Sequence, residues 1–295
     1  MGRICAGCDR DLPQSSYTAN QYSKPPGVSR CASCVHGYHS DCPAAEQSDS
    51  GRYNNSSRGT FEHGALDNPF ASGAFRWVAK GKYTEGGRRN QACVCKWFKT
   101  GAVFEEDYFS LDIKAVDKAL DIVNKFNQLN IVDKTVKINM PEVWQFDDDC
   151  RNGWAGQRTL IEPFIQNYQK FNSNTGWSDE TREWALVMQA LSHFSYHVSG
   201  GNFVLCDLQG GIYQYEVVLS DPVIISRTRA YGVTDLGPDG ISSFFYQHSC
   251  NRYCRPNWTA PANPRQHFRP VAGTTMIKHS IPTAASKPHG TTYWN

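Results

Sequence analysis

The sequence predicts an α+β fold of two lobes, preceded by a small metal-stapled module. Three observations carry this reading. Two strand-forming runs around a glycine turn open the globular stretch, helical periodicity follows them, and strand and helix signals mix in the second half. The 295 residues suffice for one sizeable core plus an appendage, and 40% hydrophobic with 20% charged residues is ordinary for a globular chain.

Phe75-Arg76-Trp77-Val78-Ala79 and Ala92-Cys93-Val94-Cys95-Lys96-Trp97-Phe98 flank Glu85-Gly86-Gly87 and read as a hairpin. A helix is expected over roughly 110–129, where Leu111, Val116, Ala119, Leu120, Val123 and Phe126 recur at helical spacing. The stretches 136–146 and 160–165 look extended. A second helix is expected over about 179–195, capped by Ser178, with Asp179 and Glu180 at the positive end of its dipole and Trp184, Val187, Met188, Leu191 and Phe194 as its buried stripe. Strands are expected at 203–208 and 212–219, and a short helix at about 238–248.

Four regions follow: a zinc-binding module at 1–42, a linker rich in Ser, Asn and Gly at 43–66, the globular domain at 67–258, and a basic Pro/Thr-rich tail at 259–295 that composition predicts to be disordered. In the first region Cys5-x-x-Cys8 and Cys31-x-x-Cys34 have the spacing of paired zinc ligands, with His36, His39 and Cys42 as alternatives. A segment this short builds no core of its own, so a metal supplies its folding free energy, on the order of 10 kcal/mol. A protein-interaction or substrate-docking role is the simplest expectation for it.

The formal net charge of +2 does not draw the chain toward nucleic acid or membrane, and the first sixty residues, with six Lys/Arg against five Asp/Glu, give no support to a DNA-binding zinc finger. No apolar run reaches the ~18 residues of a membrane span. The opening residues lack the apolar core of a signal peptide, so a cytoplasmic or nuclear chain is expected rather than a secreted one. In that setting eleven cysteines, several of them at chelate spacing, favour metal over disulfides.

Within the globular domain, His248-Ser249-Cys250-Asn251-Arg252-Tyr253-Cys254 places three zinc-type ligands in seven residues. Structural zinc takes four, and His193 on the second helix is the candidate for the fourth. Leu205-Cys206-Asp207-Leu208-Gln209-Gly210 ends an apolar strand in a carboxylate and an amide two residues apart, on one face if the strand continues, and Asp221-Pro222 adds a carboxylate across the hairpin. Phosphoryl transfer needs such groups, as oxygen ligands for Mg²⁺ and as an acceptor for the substrate hydroxyl proton. Lys96 shares its strand face with Val94 and Phe98, so either an anion pairs with it, a phosphate or a carboxylate from the first helix, or it snorkels to solvent from an edge strand. The small-residue loop Phe70 to Phe75, with Gly73 inside it and Arg76 behind it, suits an approach to phosphate. The Walker-type loop and the H-R-D and D-F-G signatures of ordinary kinases are absent.

Taken in order, Phe70 to Arg76, Val94-Cys95-Lys96, Glu162-Pro163-Phe164-Ile165, Lys170 to Gly176, His193-Phe194-Ser195-Tyr196, Val204 to Gly210, Asp221-Pro222, Gly232 to Gly237 and His248 to Cys254 resemble the alpha-kinase family over about residues 68–254. The resemblance implies a two-lobed, protein-kinase-like fold and transfer of the ATP γ-phosphoryl group to serine or threonine of protein substrates. It implies Lys96 and Arg76 on the nucleotide phosphates, Glu162 at the adenine hinge, Asp207 as the catalytic carboxylate, Gln209 and Asp221 on Mg²⁺, and His193, His248, Cys250 and Cys254 on a structural Zn²⁺. The loop with Gly232, Asp235 and Gly237 is expected on the substrate side. The family usually carries asparagine where this chain has Asp235, and alanine where it has Thr234, which raises the alternative of an ATP-binding scaffold without transfer.

Overall fold

The computed structural model describes residues 2–6, 11–25, 28–32, 58–61, 64–104, 106–148, 150 and 153–277. The chain divides into two units, residues 1–54 and 55–295. In the first, β1 (Arg3–Ile4) pairs antiparallel with β2 (Asp11–Leu12), and a single helical turn, α1 (Ala19–Tyr22), is capped by the Thr18 hydroxyl, which accepts from the Gln21 N–H at 3.3 Å. Cys5, Tyr17 and Cys31 form its small buried cluster, and the Cys31 N–H donates to Cys5 Sγ at 3.1 Å. Half of the expected ligand set is therefore together. Cys8, Cys34, His36, His39 and Cys42 lie outside the described residues.

The second unit begins with a sheet built from β3 (Gly59–Phe61), β4 (Ala71–Ser72), β5 (Arg76–Tyr83) and β6 (Ala92–Phe98). Helix α2 (Ser110–Asn127) follows, then β7 (Thr135–Ile138), β8 (Glu142–Gln145), β9 (Arg158–Pro163) and β10 (Gln169–Lys170). Helix α3 (Glu183–Val198) precedes β11 (Phe203–Cys206), β12 (Gln209–Ile212), β13 (Glu216–Ser220) and β14 (Val223–Ser226), and α4 (Gly237–Gln247) closes the series. None of the described helices is long and apolar enough to cross a membrane.

Two lobes result, as expected. The first is an antiparallel sheet in the order β3-β5-β6-β9-β8, with β4 also on β5. Its β6 is central and buried on both faces, so Cys93, Val94, Cys95 and Lys96 are all buried despite the alternation of the strand. Burial pushes the Cys93 thiol up to about 11 and Cys95 to about 12, so these two are packing residues rather than nucleophiles. The second lobe has the sheet β10-β12-β13-β7, in which β7 runs parallel to β13, and the pair β11-β14, packed with α2 and α3 around Met188, Leu191, Phe126 and Leu205.

Four expectations are corrected. The segment 136–146 is two strands: β7 ends at Ile138, Pro141 interrupts the ladder, and β8 joins the other lobe's sheet. Helix α3 starts at Glu183 after an extended Arg182, because Ser178 spends its hydroxyl on the Phe171 carbonyl and Asp179 is held in a turn with Thr181 and Arg182. Residues 59–61 of the expected linker form edge strand β3, its Gly59 lying flat against the Trp144 ring. Residues 259–277 of the expected disordered tail are fastened to the domain. They make no regular structure, yet the Arg265 N–H donates to Ser242 Oγ, the His267 and Phe268 N–H groups to Ser243 Oγ, and Val271 and Thr275 to side chains of Thr175 and Asn174. Side chains of the domain satisfy a backbone that has no ladder of its own.

Gly210 is a direct steric prediction. A Cβ there would stand 1.9 Å from the Val218 carbonyl oxygen, in the pairing of β12 with β13. Gly210→Ala is expected to destabilise the domain by at least about 2–3 kcal/mol, read as a lower urea midpoint; an unchanged midpoint would contradict this pairing.

Candidate active site

Lys96 stands at the junction of the lobes. From β6 its ammonium donates to Glu162 Oε1 on β9 at 2.8 Å, to Asp221 Oδ2 at 2.7 Å and to Ser220 Oγ at 3.1 Å, the last two just past or at the end of β13. Its three protons are thereby used. Burial opposes the charge on Lys96, but Asp221 and Glu162 outweigh it and hold the ammonium above its ordinary value. Glu162, equally buried, is pushed up by desolvation, partly offset by Lys96; it also accepts from Asn139 Nδ2 at 3.1 Å and Ser220 Oγ at 2.6 Å. The anion expected beside Lys96 is thus on a neighbouring strand and not on the first helix. The helix carboxylate, Asp112, pairs instead with Arg76 at 2.8 Å, while the Arg76 guanidinium lies over Phe75 and Phe98 and its buried Nε has no partner.

Asp207 and Asp221 are placed by a break in the β ladder. Cys206 pairs with Val223 in one sheet and Gln209 with Ser220 in another. The two dipeptides between these pairs, Asp207-Leu208 and Asp221-Pro222, face each other where both strands change sheet. Asp207 (φ 59°) and Asp221 (φ 50°) both occupy the left-handed region, which aspartate tolerates better than most residues and which marks functional sites. Asp207 and Gln209 therefore do not share a strand face as the spacing implied; the turn itself brings Gln209 Nε2 to 3.3 Å from Asp207 Oδ2. The neighbouring Leu208 N–H is held by Asn172 Oδ1 at 2.9 Å.

Only 1% of Asp207 is exposed. Burial pushes its carboxyl above the ordinary aspartate value, opposed by Lys170, whose ammonium lies at 2.9 Å, and by the Thr274 hydroxyl, which donates to it at 2.7 Å. Asp221 is more open, and Lys96 outweighs its desolvation to hold it below the ordinary value. Two neighbouring carboxylates are thus biased in opposite directions, the pattern of groups given different chemical tasks.

The remaining expected residues are placed as follows. Gly73 lies in the exposed β4–β5 turn with its N–H donated to the Arg76 carbonyl at 2.9 Å, so this turn is closed on itself. Gly232 and Gly237 take the positive φ that their loop requires. Asp235 does not face outward from that loop: it is fully buried and accepts from the Ser226 N–H and hydroxyl, the Tyr231 N–H and the Gly237 N–H at 2.6–3.2 Å. Asn139 and Thr274 join this cluster without a signal of their own in the sequence; Lys170 entered only as the first residue of a family-like segment, and Ser220 only as the neighbour of Asp221.

The side chains of His193, His248, Cys250 and Cys254 come together, their potential ligand atoms all within 4.8 Å of one another. His193 Nδ1 lies 3.2 Å from His248 Nε2 and 3.6 Å from Cys250 Sγ, and Cys254 Sγ lies 3.7 Å from His248 Nε2. These separations match the edges of a tetrahedron with metal–ligand bonds of about 2.0–2.3 Å. The His193 Nε2–H faces the Thr259 carbonyl at 3.1 Å, which leaves the Nδ1 lone pair for the cluster. Desolvation keeps both imidazoles neutral, lowering His193 and taking His248 to about 4.

The alpha-kinase family profile matches residues 71–254. Alpha-protein kinase vwkA of Dictyostelium discoideum is 30% identical over 192 residues, 64% of this chain and 30% of that protein. Human eukaryotic elongation factor 2 kinase is 38% identical over 124 residues, 40% of this chain and 16% of that protein. The chain thus spans less than a third of the length of these curated relatives. Among solved structures, the alpha-kinase domain of myosin heavy chain kinase A in complex with AMP aligns with a TM-score of 0.57 at 23% identity, covering 67% of this chain and 89% of that one. An alpha kinase from Entamoeba histolytica aligns with a TM-score of 0.55 at 23% identity, covering 71% and 82%. The profile match spans more than half of the sequence and contains every residue of the Lys96, Asp207 and zinc-type clusters except Thr274: the chain belongs to the alpha-kinase family.

Proposed function

We propose that this chain is an atypical protein kinase that transfers the γ-phosphoryl group of ATP to serine or threonine of protein substrates, with Mg²⁺ as the assisting cation. The observation that carries the reading is the joint placement of a buried, charged Lys96 and the carboxylates of Asp207 and Asp221 on two facing left-handed turns. Curated relatives named as kinases and a similar fold solved with AMP support it.

In this reading Lys96 and Arg76 neutralise nucleotide phosphates. Glu162 commits its carboxylate to Lys96, so what it offers an adenine is its main chain. Asp207 accepts the proton of the substrate hydroxyl, a role that suits a carboxylate with a raised proton affinity. Asp221 and Gln209 supply oxygens of the hard-donor type that fits Mg²⁺, and the cation neutralises charge developing on the transferred group. The closed turn at Gly73 shapes the rim, and the loop of Gly232, Asp235 and Gly237 borders the acceptor side, with Asp235 holding the loop from within. Zn²⁺ bound by His193, His248, Cys250 and Cys254 would join α3 to the segment after α4, and a second Zn²⁺ on Cys5, Cys8, Cys31 and Cys34 would staple the N-terminal module. The expected setting is the cytoplasm or nucleus.

Three outcomes test this. Incubation with labelled ATP, Mg²⁺ and a generic basic protein yields labelled acceptor, and Asp207→Ala lowers the rate by at least about 10²-fold, as loss of a general base does. ATP-induced thermal stabilisation without transfer would point to a scaffold instead. The carboxylate is the working form of Asp207, so kcat/KM falls as pH drops through its raised pKa, placing the acid limb above the ~3.9 of an unperturbed aspartate. Because Lys170 favours the ionised form, Lys170→Met moves that limb further up; a limb that stays put would remove Asp207 as the titrating base. Finally, metal analysis of the full chain is expected to give about two zinc ions, and chelation to lower the melting temperature; zero zinc would rule out both sites.

A further inference from the structure

Beside Asp207 the domain holds a stretch of irregular main chain by its N–H and carbonyl groups. Asn174 takes both such groups of Thr275: its Oδ1 accepts the N–H at 2.9 Å and its Nδ2 donates to the carbonyl at 2.7 Å. The other Nδ2 hydrogen goes to the Thr234 carbonyl at 2.9 Å, in the glycine-punctuated loop. That bond fixes which way the amide faces, because a reversed amide would set its oxygen against two carbonyls. Asn174 is fully buried, so this clamp belongs to the domain and not to the segment it holds. Two residues further on, the Ile277 N–H donates to the Val233 carbonyl at 2.9 Å. The side chain just before the clamp is Thr274, whose hydroxyl donates to Asp207 Oδ2 at 2.7 Å. The residue before that, Gly273, is exposed, and a Cβ there would meet nothing within 4 Å.

An acceptor hydroxyl must lie within about 2.6–3.2 Å of the carboxylate that takes its proton. A hydroxyl in the place of Thr274 does so, which puts Gly273 at position −1, Thr275 at +1 and Ile277 at +3 relative to it. We propose that Asn174 and the Val233 carbonyl read the main chain of a protein acceptor at +1 and +3, so that the substrate class is serine or threonine with an N–H at both positions. The proposal rests on the kinase reading above. As in strand addition, main-chain bonds supply affinity without reading side chains. Proline is the exception, because it has no N–H to give. Proline at +1 leaves the buried Asn174 Oδ1 without a donor, and proline at +3 leaves the Val233 carbonyl without one. The −1 position makes no such demand, and the open space at Gly273 admits any side chain. An acceptor that takes this path displaces residues 271–277 of the chain itself.

The test uses the full chain, labelled ATP and Mg²⁺ with synthetic peptides. Each carries one central threonine, alanine at −1, +1 and +3, and mixed residues other than serine, threonine, tyrosine and proline elsewhere. Lactic acid replaces each alanine in turn, so an ester oxygen stands in for the N–H without added bulk. Initial rates at low peptide concentration give kcat/KM. Displacement of residues 271–277 weighs on every peptide alike and cancels from the ratios. Lactate at +1 or at +3 is expected to lower kcat/KM about 5–10-fold, as loss of a main-chain hydrogen bond with a buried partner does. Lactate at −1 leaves it unchanged. A value at +1 or +3 equal to that at −1 overturns the proposal. In Asn174→Ala the penalty at +1 disappears while that at +3 stays, a split that a merely structural role does not give; a +1 penalty that survives the substitution overturns the proposal as well. Where that variant fails to fold, the peptide ratios of the unsubstituted chain decide alone. Label on a generic basic protein but on no peptide overturns the proposal and leaves the kinase reading intact. Label on neither rejects the kinase reading and this proposal with it.

Discussion

The buried ion cluster around Lys96 is the constraint on which the rest of the site depends. Two carboxylates and one ammonium lie where the lobes meet, and burying them is costly unless every charge is paired and hydrogen-bonded. The surroundings meet that condition. Lys96 uses all three protons, and Glu162 takes further bonds from Asn139 and Ser220. Asn139 also donates to the Pro163 carbonyl at 2.9 Å, so the residue just after β7 is tied to β9 of the other lobe. The cluster therefore does two things at once. It keeps a cation charged in a dry place, and it sets the distance between a sheet of the first lobe and the end of β13 in the second. Removing one partner leaves a buried charge unpaired, which is why such positions resist substitution by more than their surface area suggests.

The second lobe answers with a geometric device. A continuous two-stranded ladder would point Asp207 and Gln209 to one face and Asp221 to a position fixed by pairing. Here both strands change sheets at the same height, and the two freed dipeptides turn their carboxylates inward through left-handed backbone conformations. Backbone strain of this kind costs roughly 1–3 kcal/mol per residue and persists where the surroundings over-determine it. Gln209 pairing with Ser220, Leu208 held by Asn172, and Gly210 pressed against Val218 provide that determination. The opposite proton affinities of Asp207 and Asp221 then follow from position: one is covered by protein, the other lies open beside Lys96.

Much of this was legible in the sequence, and the reasons are physical. Helical periodicity located α2 and the core stripe of α3, because apolar spacing records which face is buried. The zinc-type cluster was legible because soft ligands at short spacing have few other uses. The start of α3 was not, since Ser178 has two uses for its hydroxyl and tertiary contact decided between them. Lys96 was flagged as needing an anion, but its partner comes from 66 residues away on the adjacent strand, a pairing no local pattern encodes. Thr274 was silent for the same reason, and the pairing of Lys170 with Asp207 was equally unreadable. Composition misled over residues 259–277: a segment poor in aliphatics cannot form a core, yet it can be held by hydroxyl and amide side chains of a domain that already has one.

Asp235 shows how one substitution within a family pattern is absorbed. Four donors converge on its two oxygens. An asparagine would present hydrogens to half of them. Only one of the four donors, the Ser226 hydroxyl, can accept as well as donate. Even with Ser226 Oγ reversed, accepting a second hydrogen beside the Ala230 N–H at 3.1 Å, each oxygen position of residue 235 still faces a backbone N–H. The Tyr231 N–H cannot reverse at all. A carboxylate is the group with acceptor capacity for all four, so in this chain aspartate completes the loop rather than weakening it. The loop so fixed carries the Val233 carbonyl that receives the Ile277 N–H and the Thr234 carbonyl that anchors Asn174. Asp235 thus sets the shape of that loop from a fully buried position.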